Sequence, residues 1–184
     1  ATVGRGFHSN DARGATTRFD PATGEPAVAA DPLVPAWGMD VGVRVQGSRL
    51  SGSLGLFALA LDSELLYVGD AGGTQAGPAS RRGGLGRSAL WRPVRGLEFD
   101  AALALARARA RDVGDADRIP GVVARVVSAG VATEFGNWSG SARVRHLGAR
   151  PLDESGSIRL PASTLVNLRA ARRLAGDVRL RLEL

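Results

Sequence analysis

The feature that most constrains this chain is a spacing of two that returns in segment after segment. Near its end Val178, Leu180, Leu182 and Leu184 interleave with Arg179, Arg181 and Glu183. Successive side chains of a strand point to opposite faces, so this spacing predicts one apolar and one charged face. Met39, Val41, Val43 and Val45 alternate in the same way with Asp40, Arg44 and Gln46. So do Ala142 and Val144 with Ser141, Arg143 and Arg145, and Val166, Leu168 and Ala170 with Asn167 and Arg169. Two runs break the rule: in Gly84–Trp91 and Val122–Val131, Arg87 and Arg125 share parity with apolar neighbours.

The length of the uncharged stretches separates a half-buried soluble sheet from one that faces lipid. Leu50, Gly52, Leu54, Leu56, Ala58 and Ala60 keep one parity free of charge until Asp62 and Glu64. Leu97, Phe99, Ala101, Leu103 and Leu105 do the same before Arg107 and Arg109. Each stretch matches the ~9 to 11 residues with which a tilted strand crosses a bilayer. Leu97, Ala101, Ala104 and Ala108 also line a helical face, and Ser163–Ala175 shares that ambiguity. The loop rhythm favours strands for both. Short connections at Gly47-Ser48, Pro93–Arg95, Gly136-Asn137 and Ala175-Gly176 alternate with long ones at Ser9–Gly38, Asp70–Arg82, Asp112–Pro120 and Ala149–Ala162. This is the pattern of an up-and-down transmembrane barrel with short periplasmic turns and long extracellular loops. Trp91, Phe135 and Trp138 fall near proposed periplasmic turns, where aromatic rings prefer the headgroup boundary.

Composition closes off other classes. All 24 basic residues are arginine and the net charge is +6, yet no basic block carries interleaved aromatics, which argues against nucleic acid. No cysteine is present, so there is neither a disulfide framework nor a thiolate metal site. No run approaches the ~18 apolar residues of a membrane helix. The chain opens without Met and stops at Leu184 inside the alternating run Asp177–Leu184, which leads us to expect a piece of something longer.

Motifs for chemistry are sparse. Gly72-Gly73 and Gly83-Gly84-Leu85-Gly86 lack the Lys-Ser/Thr of a phosphate loop and read as turn and strand glycines. Asn137-Trp138-Ser139 satisfies a glycosylation pattern at a tight turn, where it reads as coincidence. His8 and His146 lie far apart and read as solvated or rim histidines rather than metal ligands. The acid pairs Asp62/Glu64 and Asp153/Glu154 show no neighbour that would tune a carboxyl. The reading is therefore of a non-enzyme without a cofactor or metal.

Several stretches, in order, carry a family resemblance. GRGFHSNDARG (Gly4–Gly14), DPLVPAWGMDVGVR (Asp31–Arg44), LFALALDSELLYVGDAGGTQ (Leu56–Gln75) and SRRGGLGRSALWRP (Ser80–Pro93) are followed by ADRIPGV (Ala116–Val122), GARPLDESGS (Gly148–Ser157) and VNLRAARR (Val166–Arg173). Together they resemble the C-terminal barrel half of TonB-dependent outer-membrane receptors over nearly all of residues 1–184. The resemblance implies an all-β, antiparallel fragment supplying about nine strands of a 22-stranded barrel. The family's plug domain and TonB box are absent from these residues. It further implies a bacterial outer-membrane receptor, driven by the TonB-ExbB-ExbD system, that imports a scarce ligand, foremost a ferric siderophore.

Ligand contacts are expected on the long loops and the lumen face. The candidates are His8, Asn10, Asp11 and Arg13, where a strand meets a long loop, and the lumen arginines Arg143, Arg145 and Arg169. These arginines could attract an anionic complex or bridge to acidic groups of the plug. Two other readings stay open: a passive porin or small structural barrel, and a soluble β-rich binding domain. The soluble reading requires Val41, Val43, Leu54, Leu56, Leu103, Leu180 and Leu182 to pack into a dry core.

Overall fold

The computed structural model describes residues 1–9, 16, 18–19, 24–26, 31–68, 73–174 and 178–184, with the backbone alone for 64–68 and 73–76. The described strands are β1 (Thr2–Ser9), β2 (Leu33–Gln46), β3 (Leu50–Leu61), β4 (Glu64–Val68), β5 (Gly73–Gly77), β6 (Ser80–Val94) and β7 (Leu97–Ala110). They continue with β8 (Arg125–Phe135), β9 (Trp138–Leu147), β10 (Arg150–Pro151), β11 (Arg159–Leu160), β12 (Ser163–Arg173) and β13 (Arg179–Glu183). Nine of them form one antiparallel sheet in the order β1-β2-β3-β6-β7-β8-β9-β12-β13. Two small hairpins, β4-β5 and β10-β11, lie in the connections from β3 to β6 and from β9 to β12. Sheet neighbours thus follow chain order as an up-and-down meander. The sheet is an unclosed arc of barrel with β1 and β13 at its edges.

Both Ala-rich segments that could have been helices are strands, β7 and β12. Each is paired along both sides, and that ladder outweighs the helix preference of Ala, Leu and Arg. Among the described residues no helix is long and apolar enough to cross a membrane. β2 starts at Leu33, six residues before the alternation becomes visible at Met39. Leu33 to Trp37 are apolar on both parities around Pro35, so no alternation marks them. Pro93 falls within β6, where the register against β7 shifts between Trp91 and Val94. A proline cannot donate to the ladder, and an irregularity of this kind accommodates it.

Cross-strand partners share a face, so the registers sort the side chains of the whole sheet. One face carries Val3, Trp37, Met39, Val41, Leu54, Leu56, Leu85, Phe99, Leu103, Val131, Val144, Val166, Leu168 and Leu182. The other carries Gly, Ser and Ala with every carboxylate of the nine strands: Asp40, Glu98, Asp100, Glu134 and Glu183. Arg87 is opposite both Leu54 and Leu103, so the break in alternation is real and this arginine lies on the apolar face. Arg125 is also on that face, at the first position of β8, outside the apolar band.

The apolar face is not the wall of a dry core. Val34, Leu61, Ile119 and Ala171 are the only buried hydrophobic residues described. Of the residues that the soluble reading packs into a dry core, Val41, Val43, Leu54, Leu56, Leu180 and Leu182 range from 42% to 64% exposed and Leu103 is half-buried, so this face forms no dry core among the described residues. Aromatic rings flank the band at both ends. Phe7 and Trp37 lie toward the long loops, and Trp91, Phe99, Phe135 and Trp138 toward the short turns. Trp91 and Phe99 stack at 5.5 Å between ring centroids, and the Arg172 guanidinium lies 4.9 Å from the Trp138 ring centroid. Such girdles mark the two membrane boundaries of a lipid-facing barrel.

Candidate functional site

Two parts of the molecule are placed to meet a ligand: the small-residue face of the sheet and the connections at its long-loop end. The first is built from strand positions where side chains are short. Gly42, Ser53, Gly55, Gly86, Ser88 and Ser128 border a shallow hollow of about 560 Å³. The Ser53 and Ser88 hydroxyls are 2.8 Å apart across β3 and β6. Close packing explains one of the glycines. A Cβ on Gly84 would lie 2.2 Å from the Leu105 carbonyl oxygen and 2.8 Å from Cε1 of Phe57, so the Phe57 ring covers bare backbone.

The sequence-expected lumen arginines are on this face, and two of them are held by the wall itself. Arg143 Nη2 donates to Asp100 Oδ1 at 2.7 Å, reaching from β9 to β7. The strand between them carries Gly130, whose Cβ would stand 2.6 Å from that carboxylate oxygen and 3.3 Å from the guanidinium. Glycine at this position is what lets the ion pair bridge three strands. Arg169 Nε is 2.8 Å from Glu183 Oε1, which Arg181 also approaches at 3.6 Å. Arg145 lies on the same face opposite Ser128 and Leu165, with no carboxylate partner among the described residues. Arg143 and Arg169 thus each pair with a carboxylate of the sheet.

His8 lies at the long-loop end of β1, on the small-residue face opposite Val34. Asn10, Asp11 and Arg13 lie outside the described residues. Six strand steps separate β1 from β9, about 29 Å along the sheet. His8 and the β9 arginines therefore sit on one face without forming one cluster. Among the described residues no group of three or more His, Asp or Glu is placed to hold a metal ion.

The connections after β7 and β9 dock onto each other. Arg118 N donates to Glu154 O at 3.1 Å, Gly121 N to Pro151 O at 2.8 Å, and Ile119 is buried. Arg109 pairs with Asp117 at the base of this assembly. Asp153 is more tightly held than the sequence reading allowed. Its carboxylate accepts the Ser155 and Ser157 hydroxyls and the Ile158 amide, which hold its pKa well below the usual carboxylate range. The serine spacing after Asp153 was the missed signal, since such residues bond locally to an Asx carboxylate. A carboxylate so stabilised stays ionised and organises its loop; it is unsuited to exchanging protons near neutrality.

The family model described as TonB dependent receptor-like, beta-barrel, matches residues 1–184. Comparison with curated protein sequences gives no match. Among solved structures, the copper transporter OprC is similar at a TM-score of 0.73 and 19% identity, over 97% of this chain and 29% of that one. The ferric yersiniabactin uptake receptor FyuA from Yersinia pestis gives 0.69 and 14%, over 92% and 26%. The unliganded ferric citrate transporter FecA gives 0.67 and 18%, over 81% and 26%. At these identities the likeness concerns the fold, and the chain spans less than a third of each of these structures. With the whole chain covered by the family model, and its strands forming an open arc with an apolar outer band and a small-residue inner face, the chain belongs to the TonB-dependent receptor β-barrel family.

Proposed function

We propose that this chain is part of the barrel wall of a bacterial outer-membrane receptor that imports a scarce ligand by active, TonB-driven transport. The observation that carries the reading is the family match over residues 1–184. The two faces support it: an apolar band suits lipid, and a face of Gly, Ser and Ala lets another backbone approach closely, as a plug filling the barrel requires. Energy arrives from TonB-ExbB-ExbD through a plug and TonB box contributed by sequence outside Ala1–Leu184.

The ligand class we favour is a ferric siderophore, as the names of the ferric citrate and ferric yersiniabactin proteins suggest; the copper transporter keeps other metals in contention. His8, Asn10, Asp11 and Arg13 would contact it at the outer mouth. Arg145 is the best-placed lumen cation, while Arg143 and Arg169 act through the wall pairs that orient them. The test is growth on a panel of ferric siderophores as sole iron source, after deletion of the full-length protein, in cells with and without functional TonB. We expect at least one ligand whose use requires both proteins. Ligand entry that depends on the protein and is indifferent to TonB would make it a passive pore instead.

A further inference from the structure

The charges of the sheet are sorted more sharply than lipid exposure alone demands. All five carboxylates of the nine-stranded sheet are on the inner face, while the outer face carries arginine without any acid. Most of that outward positive charge is gathered at one place, the long-loop end of β6, β7, β8 and β9. Arg81 is directly opposite Arg109, Arg107 is opposite Gly83, and Arg125 is opposite Leu105. His146, on the same face, is opposite Val127 and Thr164; its Nδ1 lies 3.0 Å from Thr164 Oγ1 and its Nε2 3.4 Å from Arg125 Nη2. Four adjacent strands thus present four guanidiniums and an imidazole over three strand steps, about 14 Å.

The level of this patch is set by the sequence. On the same parity, Leu85, Leu105, Val127 and Val144 are the outermost apolar residues of their strands, and Arg81, Arg107, Arg109, Arg125 and His146 follow within one to two outward-facing positions. The patch therefore stands at the headgroup boundary of the outer leaflet, above the hydrocarbon band. Asp117 pairs with Arg109. Arg81, Arg107 and Arg125 have no carboxylate partner among the described residues, although like charges placed opposite one another are destabilising. A multivalent anion would remove that repulsion. Guanidinium groups pair with phosphate through paired, charge-assisted hydrogen bonds.

We propose that Arg81, Arg107, Arg125 and His146, with Arg109 alongside, form a site for the phosphorylated headgroup of an outer-leaflet lipid. The proposal rests on the membrane placement given above. A lipid is the occupant because the patch continues the lipid-facing band upward, on the face of the sheet opposite the small-residue face. Basic clusters beside a spanning segment recognise anionic headgroups by this chemistry.

The test uses the full-length protein in vesicles that contain a phosphorylated outer-membrane glycolipid or its dephosphorylated form. Barrel insertion is scored first by heat-modifiable gel mobility, then lipid retained after detergent extraction is weighed by mass spectrometry. We expect retention of the phosphorylated form only, and a fall of at least about tenfold in the R81Q/R107Q/R125Q variant. The inner-face variant Arg44→Gln should retain lipid as the parent does. Equal retention by the triple variant, indifference to dephosphorylation, or displacement by inorganic phosphate alone would overturn the lipid site and leave the receptor reading intact. Absence of insertion by the parent protein would overturn both. Should the triple variant fail to insert, the comparison of the two glycolipids with the parent protein decides.

Discussion

The two faces of the nine-stranded sheet are made from the same strands and differ in how they treat charge. On the inner face, arginines meet carboxylates: Arg143 with Asp100, Arg169 with Glu183, Arg92 with Glu98. On the outer face, the strands offer arginine no acid at all, and the apolar band is interrupted within its span at Arg87. A wet lumen tolerates either sign and lets opposite charges find each other. Lipid tolerates neither, and the headgroup boundary above it rewards a positive charge. The comparison teaches that facing is written in which charges are paired as much as in where apolar residues fall.

The largest effect should come from placing a charge where the outer face has none. Leu56→Arg and Leu103→Arg should each cost about 2 to 4 kcal/mol of folding stability in lipid vesicles, read from denaturant unfolding, because both put a guanidinium near the membrane midplane. Parent-like stability of both variants would mean that the faces have been exchanged. Close behind is Gly84→Val on the inner face, where the new Cβ would press on the Leu105 carbonyl and the Phe57 ring. A loss of about 1 to 3 kcal/mol follows from such overpacking, and Gly86→Ala, with open space at its Cβ, should be nearly silent.

Arg87→Leu sharpens the contrast in the other direction. Removing the one outward arginine flanked by Leu54 and Leu103 should stabilise the barrel in lipid by about 2 kcal/mol. A loss of stability would show that Arg87 has a partner the sheet does not supply. Smaller still is the inner pair. A double-mutant cycle on Arg143→Gln and Asp100→Asn should give a coupling of about 1 kcal/mol or less, as expected for a partly exposed pair. The least dramatic change concerns the docked loops. Because hydrogen bonding lowers the Asp153 pKa in the folded loop, its contribution is present above the ordinary carboxylate pKa and fades only as pH falls through the lowered value. Protease resistance of this loop should therefore hold between neutral pH and about pH 4, and Asp153→Asn should weaken it throughout that range.

Much of the architecture was legible because a lipid-facing strand leaves a local signature. The alternation from Met39 to Gln46, and the uncharged run from Leu97 to Leu105, each need only neighbouring residues to be read. The short turns at Gly47-Ser48 and Gly136-Asn137 followed from turn residues in the same local way, while Ala175-Gly176 lies outside the described residues. Legibility failed where both parities carry similar residues, as from Leu33 to Trp37, and where a proline interrupts β6. The candidate site was readable only as a list of polar positions. His8 and Arg143 are both visible as polar groups on the inward parity, but nothing local tells that about 29 Å separates their strands.

The sequence by itself determined that this chain forms lipid-facing antiparallel strands, since side-chain parity and run length are properties of consecutive residues. Only the tertiary structure decided which charges meet. Asp100 finds Arg143 because the register sets Gly130 between them, and Arg81 faces Arg109 because β6 and β7 pair in one register rather than the next. A shift of a single residue would send each side chain to the opposite face, and that choice is made by the ladder as a whole.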